Sequence, residues 1–335
     1  MTSAKAASSV PRASRVPPGL PAVGPSAVVI GNFDGVHRGH QAVLTEARAL
    51  AAASGLAVTV LTFDPHPAEV LAGAERALLT AIPRRAALLL SFADRVAIRT
   101  FDRAFAQTSP EDFARSLAED LGASLVVVGQ NFRFGHQRAG DLARLGELGR
   151  ALGFQVHAHA LAGDADGRFS SSRARNAVTS GALDVATHVL GRPHAIGGEV
   201  VHGDQRGRTI GFPTANLGGV PELVPPRGVY AVRVFRVTSP ADALVEALEP
   251  LADGVMNHGV RPTVAEGLRP SLEVHLLDFA GDLYGSRLRV ELVAKVRDEK
   301  KFDGLPALKA QIAEDVESAR AALRTAPDAM KMAPP

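Results

Sequence analysis

Apolar runs and helical periods alternate along the first half of the chain. "AVVIG" (residues 27–31) is a continuous apolar run ending at a glycine, the pattern of a strand buried on both faces. "HQAVLTEARALAAA" (40–53) then takes up a helical period. "LAVTVLTF" (56–63), "RVAIRTF" (95–101), "SLVVVG" (124–129) and "FQVHAHAL" (154–161) read as further strands. Helical segments are expected between them, near residues 83–90, over "SPEDFARSLAEDLG" (109–122) and around "GDLARLGELGRALG" (140–153). The middle one has a serine cap, an acidic first turn and a terminal glycine. Strand and helix at this spacing predict a parallel sheet with crossover helices.

After "GALDVATHVLGRPH" (181–194) the rhythm changes. Five strand-like runs follow between turn residues: "AIGGEVVHGD", "GVYAVRVFRV", "ADGVMNHGV", "SLEVHLLDF" and "SRLRVELVAKV", all within residues 195–296. No long helical period interrupts them, which predicts an antiparallel barrel or sandwich. "LPALKAQIAEDVESARAAL" (305–323) closes the pattern as an amphipathic helix. The expected organisation is a disordered tail over 1–25, an α/β domain over 26–189, a β domain over 190–325 and a second tail over 326–335. The first tail rests on Lys5, Arg12, Arg15, five prolines and no acid, with no apolar core of a secretory signal.

Composition narrows the chemistry. A length of 335 residues suits two domains, and 46% hydrophobic residues suffice for two cores. The absence of cysteine excludes disulfides, thiolate metal sites and thiol catalysis, and is compatible with a cytoplasmic protein. The net charge is +2 with basic and acidic residues interspersed, so no nucleic-acid partner is expected. No apolar stretch approaches the roughly 20 residues that span a bilayer, and no membrane partner is expected. A homo-oligomer stays open.

The first candidate site is "GNFDGVHRGH" (31–40). A strand delivers the chain into Gly31, Gly35 and Gly39, and a helix begins near His40. Ligands of open α/β sheets bind beyond the carboxyl ends of strands, and free amides at a helix start suit anions. His37 and His40 would both reach the same anion. His66, between Pro65 and Pro67 in "DPHP", belongs near the same cleft or to a rigid turn. Phe132 and Phe134 line a ligand pocket or are core. The second candidate is "GDQRGRTIGFPTANL" (203–217), where Thr214 and Asn216 offer hard oxygen donors two residues apart, suited to Mg²⁺. No G-x-x-x-x-G-K-[ST] motif occurs.

"GNFDGVHRGH", "LTFDPHPAEVL" (61–71), "VVVGQNFRFGHQRAGD" (126–141) and "FSSSRARNAV" (169–178) resemble, in order and spacing, the nucleotidylyltransferase half of the bifunctional bacterial riboflavin kinase/FMN adenylyltransferases, the FAD synthetases. "GRTIGFPTANL", "GVMNHGVRPTV", "LEVHLLDFAGDLYG" and "VRDEKKFDGLPALKAQIAEDV" are similar to successive signatures of the riboflavin kinase barrel in that family. The resemblance covers about residues 26–325. It implies a Rossmann-like parallel-sheet domain with the HxGH signature, then a six-stranded antiparallel barrel with a C-terminal helix. It also implies riboflavin, FMN and ATP as small-molecule partners, FAD as product, and Mg²⁺.

By resemblance, His37 and His40 stabilise nucleotide phosphates. Gly31, Asn32, Phe33 and Gly39 belong to the ATP loop, and Ser171, Ser172 and Arg175 to a second phosphate motif. Gly211, Thr214 and Asn216 bind Mg²⁺-ATP in the barrel, where Glu273 is the catalytic carboxylate. His66, Asn131, Phe132, Phe134, Asn257 and Arg297 are expected flavin or nucleotide contacts. Asn131 stands where relatives often carry Asp, and Ser172 where they carry Thr. Adenylylation by a phosphate dianion asks for donors and cations and no general base. Phosphorylation of a hydroxyl asks for a base, and Glu273 meets that need if Leu272 and Val274 pack outside the barrel under the helix. The other readings are a riboflavin kinase with an inactive first domain, a flavin-responsive regulator and a different nucleotidylyltransferase.

Overall fold

The computed structural model describes residues 12–16, 24–203, 207, 210–263 and 267–326. Strands β1 (Ala13–Arg15), β2 (Ser26–Ile30), β3 (Ala57–Asp64), β4 (Arg95–Thr100), β5 (Ala123–Gly129) and β6 (Gln155–His159) form one sheet in the first half. Its order is β1-β4-β3-β2-β5-β6, and every pair is parallel. β2 is buried at every position because helices cover both faces. Ala27 and Val29 face the core shared with α1 (Arg38–Ala53) and α3 (Ile82–Leu89), while Val28 and Ile30 face α4 (Pro110–Leu121) and α5 (Leu142–Leu152). The chain leaves β2 on one side and returns beside it as β5, so the switch point of the sheet lies at the carboxyl end of β2.

Local signals account for several boundaries. The Ser109 hydroxyl accepts from the Asp112 N–H at 3.0 Å, and Gly122 ends α4 with a left-handed φ of 61°. Three further helices and a two-stranded ribbon complete this half: α2 (Pro67–Ala72), α6 (Ser171–Ser180), α7 (Leu183–Leu190), and β7 (Gly163–Asp164) paired with β8 (Gly167–Arg168). The tail expected to be disordered over 1–25 needs correction at β1. There the Val96 N–H donates to Arg12 O at 2.8 Å and the Val16 N–H to Ile98 O at 3.0 Å, and Ala13 packs against the core. The edge of β4 offers unpaired backbone groups, and three residues suffice to pair with them. So short a strand beside Pro11 and Pro17 leaves no periodicity to detect.

The second half is a closed antiparallel barrel of β9 (His194–Val201), β10 (Ala215–Gly218), β11 (Gly228–Val237), β12 (Leu248–Thr263), β13 (Gly267–Leu276) and β14 (Arg287–Arg297). β10 supplies the sixth strand, inside the candidate segment 203–217 that was not among the five strand-like runs. Tyr230, Val232, Met256, Leu272, Val274, Val290 and their neighbours fill the interior. Helix α8 (Leu305–Thr325) packs outside, over Val229, Ala231, Val255 and Leu277.

The halves are joined by more than a linker. Leu78 and residues 221–223 exchange backbone hydrogen bonds at 3.0 and 2.7 Å. The β11–β12 connection sends Leu244 and Val245 against the core around α3, and the Glu246 N–H donates to Pro83 O at 3.0 Å. The Glu246 carboxylate meets Arg289 at 2.6 Å, and Arg289 also meets Glu222 at 2.6 Å. These are buried charges paired with one another, as burial requires.

Candidate active sites

The chain turns sharply between β2 and α1. Phe33 and Val36 adopt left-handed φ values of 50° and 40°, and Gly35 lies between them at 87°. Such backbone at non-glycine residues persists only where its surroundings hold it. The buried Asp34 carboxylate accepts from Leu79 N (2.9 Å) and Thr80 N (3.1 Å) and pairs with Arg175. Arg85, 1% exposed, donates to Asn32 O at 3.1 Å and Thr80 O at 2.9 Å.

This scaffold presents two imidazoles. His37 caps α1 and its Nδ1 accepts the His40 N–H at 3.3 Å, so a neutral His37 carries its proton on Nε2. The rings stack at 3.6 Å between centroids, with Phe33 edge-on to His40 at 5.0 Å. Burial, aided by the nearby Arg192 charge and opposed by Asp34, pushes the His37 pKa down to about 4. Burial likewise holds His40 well below the ordinary imidazole range, helped by His37, Arg85 and Arg192. His40 Nδ1 is buried without a hydrogen-bond partner among the described residues. Gly39 is required by close approach: a Cβ there would stand 2.9 Å from Phe169 O and 3.1 Å from the His37 ring.

Both histidines line a cavity of about 850 Å³ at the carboxyl ends of the strands. Gly31, Asn32, Phe33, Gly39, Asn131, Phe132 and Phe134 line it too. One wall is a run of aromatic rings: Phe63, Phe101, Phe105, Phe113, Phe134 and Phe132 succeed one another with centroids 5.4–6.3 Å apart. The volume and the mainly apolar lining suit a small-molecule site. His159, at the end of β6, also lines it, and both its neighbour His157 and His159 itself bond to Glu46.

The barrel carries a second cluster. Asn216 on β10 and Asn257 on β12 both stand in register with Glu273 on β13, so the three side chains share one face. Thr214 Oγ1 lies 3.4 Å from Glu273 Oε2. A Cβ at Gly203 would meet the Asn216 amide at 2.3 Å, so this glycine lets the end of β9 close over the cluster. That face is the outside of the barrel. Leu272 and Val274 turn into the packed interior with Tyr230 and Met256, and Glu273 points to the face that carries α8. The condition placing Leu272 and Val274 under the helix is therefore reversed. A six-stranded barrel filled with side chains leaves no interior room for a ligand, so this cluster is open to one only from the outer face.

A family model described as FAD synthetase matches residues 21–173, and one described as riboflavin kinase matches residues 190–323. Bifunctional riboflavin kinase/FMN adenylyltransferase from Escherichia coli strain K12 is 42% identical over 296 residues, covering 88% of this chain and 91% of the relative. The chain belongs to this bifunctional family. The Bacillus subtilis relative of the same description is 35% identical over 305 residues, with 88% and 91% covered. A crystal structure described as a macrolide-efflux protein from Streptococcus pneumoniae superposes with a TM-score of 0.78 at 27% identity, over 92% of this chain and 99% of that one. No described helix of the present chain is long and apolar enough to cross a membrane.

Within the FAD synthetase half, the expected residues separate into two groups. Those on the loop after β2 and on the 131–134 turn meet at the cavity. Ser171, Ser172, Arg175 and His66 do not line it. The Ser171 hydroxyl donates to Asp34 O at 2.9 Å, and Arg175 donates to Ala77 O at 2.6 Å as well as pairing with Asp34. His66 caps α2, accepting from the Ala68 N–H at 3.1 Å, and burial pushes its pKa down to about 4. In the riboflavin kinase half, Gly211 occupies an exposed turn at φ 89°, and residues 204–206 and 208–209 of its glycine-rich segment lie outside the described residues. Arg297 grips Asp315 of α8 in a two-point pair at 2.8 and 2.7 Å. Asp34, Arg85, Arg192 and the phenylalanines at the ends of β3 and β4 are absent from the expected site. A charged pair inside the apolar run "IPRRAALLL" and the repeated "TF" strand ends were the available signals.

Proposed function

We propose that the chain makes FAD in two steps: the barrel phosphorylates riboflavin with ATP to give FMN, and the α/β domain joins FMN to the adenylyl group of a second ATP, releasing pyrophosphate. The observation that carries this reading is the pairing of two sites of opposite character on the two family-matched halves. The first is lined, among the described residues, by hydrogen-bond donors and no carboxylate. The second places a carboxylate beside a hydroxyl and two amides.

In adenylylation the FMN phosphate is its own nucleophile, since its second pKa is about 6. What remains for the protein is positioning and charge stabilisation. His37 Nε2–H and the free amides at the start of α1 are donors for the phosphates at the cavity floor. Phosphate binding also favours a proton on the otherwise depressed imidazoles, so they gain charge as the anion arrives. The aromatic wall offers faces for the flavin ring.

In phosphorylation Glu273 accepts the proton of the riboflavin 5′-hydroxyl. Mg²⁺ suits the oxygens of Thr214 and Asn216, which stand beside Glu273. When bound, the cation neutralises charge on the transferred phosphate. The reading takes riboflavin, FMN and ATP as partners and a cytoplasmic setting.

The test is chromatography of flavins after incubation of the purified protein with riboflavin, ATP and Mg²⁺. FMN appearing first and FAD afterwards is the expected course. FMN alone leaves a kinase with a silent first domain, and neither product refutes the reading.

A further inference from the structure

Arg192 belongs to the "GRPH" turn between α7 and β9, beyond the residues matched as FAD synthetase. It is buried, yet its guanidinium turns back into the first half. Nη2 donates to Gly35 O at 2.6 Å, and Nη1 donates to Val36 O at 3.3 Å and Leu190 O at 3.2 Å. Gly35 and Val36 are two of the residues with left-handed backbone, and His37 follows them directly. A β-branched residue at φ 40° does not hold that conformation by itself. Among the described residues Val36 O has one other side-chain donor, Gln41 Nε2 at 2.8 Å, itself shared with Leu190 O at 2.9 Å. Arg192 does not line the cavity.

We propose that Arg192, a residue of the riboflavin kinase half, is a positioning residue for FMN adenylylation: it clamps the two carbonyls preceding His37 and so aims the imidazole pair and the start of α1 at the phosphates. The proposal rests on the adenylyltransferase reading of the first site. The planar fork of arginine suits the task because it reaches neighbouring carbonyls at once, where a lysine ammonium acts as a single point of contact. Loss of the clamp lets the loop relax by a fraction of an ångström, and misplacement near 1 Å costs roughly 100-fold in rate.

The experiment measures both reactions in full-length protein: wild type, Arg192→Gln and Arg192→Lys. Expected in Arg192→Gln are a fall of about 10- to 100-fold in kcat for FAD formation from FMN and ATP, a raised KM for ATP in that reaction, and riboflavin phosphorylation within about twofold of wild type. Arg192→Lys is expected to fall between the two. A wild type that makes no FAD from FMN overturns the reading of the site itself. With an active wild type, unchanged FAD formation in Arg192→Gln overturns the positioning role. Equal proportional loss of both activities at unchanged KM overturns it too, since that is the signature of a scaffold contact. Should the glutamine variant not fold, wild-type FAD kinetics in Arg192→Lys have the same force.

Discussion

His37 and His40 stack so closely, and both are held so far toward the neutral form, that they work as one unit. Replacing both with alanine is expected to lower FAD formation at least 100-fold while FMN still accumulates from riboflavin, as flavin chromatography would show. Glu273→Gln should do the reverse: riboflavin phosphorylation falls about 100- to 10,000-fold and adenylylation of added FMN continues. Equal loss of both activities in either variant contradicts the assignment of separate sites. Both groups stand out in the sequence because each sits in a dense local motif. The roles of Asp34, Arg85 and Arg192 do not, because they depend on partners 45 to 157 residues away. A charge inside an apolar run marks Arg85 as unusual, but nothing local names the distant partners.

Strands and helices were legible wherever burial imposes a period. The continuous run of β2 and the capped α4 are examples. β10 was not, since four residues between glycines and a proline show no period. β13 teaches a finer point: its alternation separates Glu273 from Leu272 and Val274, but only the closure of the barrel decides which set is inside. Helix α8 is tied to the barrel by Asp315, 3% exposed, gripped by Arg297 at the end of β14. Asp315→Ala leaves that guanidinium without its carboxylate and opens a gap beneath the helix. A loss of about 3 kcal/mol is expected, read as a lower urea midpoint for the barrel transition. Asp315→Asn, which keeps the shape, should lose less.

The passage from an α/β to a β pattern was legible from the change of rhythm after residue 194, but the extent of the seam was not, because the residues that build it read as ordinary loops. At this scale buried histidines contribute to the response to acid. His37 and His194 are each pushed down to about 4 by burial, against about 6.5 in an unfolded chain. The unfolded state therefore binds more protons between these values, and stability is full above pH 6.5 and falls as the pH drops toward 4. Each contributes up to about 1.4 kcal/mol per pH unit in that window. Thermal melts at pH 7 and pH 5 should show the loss, and a melting temperature that stays level would contradict it. The Leu244–Glu246 segment has another consequence, for synthesis. The first half is synthesised whole before the β11–β12 connection, so the face of α3 has no cover until that connection emerges. Translation proceeds at roughly 5–20 residues per second, so that apolar face spends several seconds without its cover. A nascent chain arrested before Leu244 should be the form that chaperones hold and proteases cut.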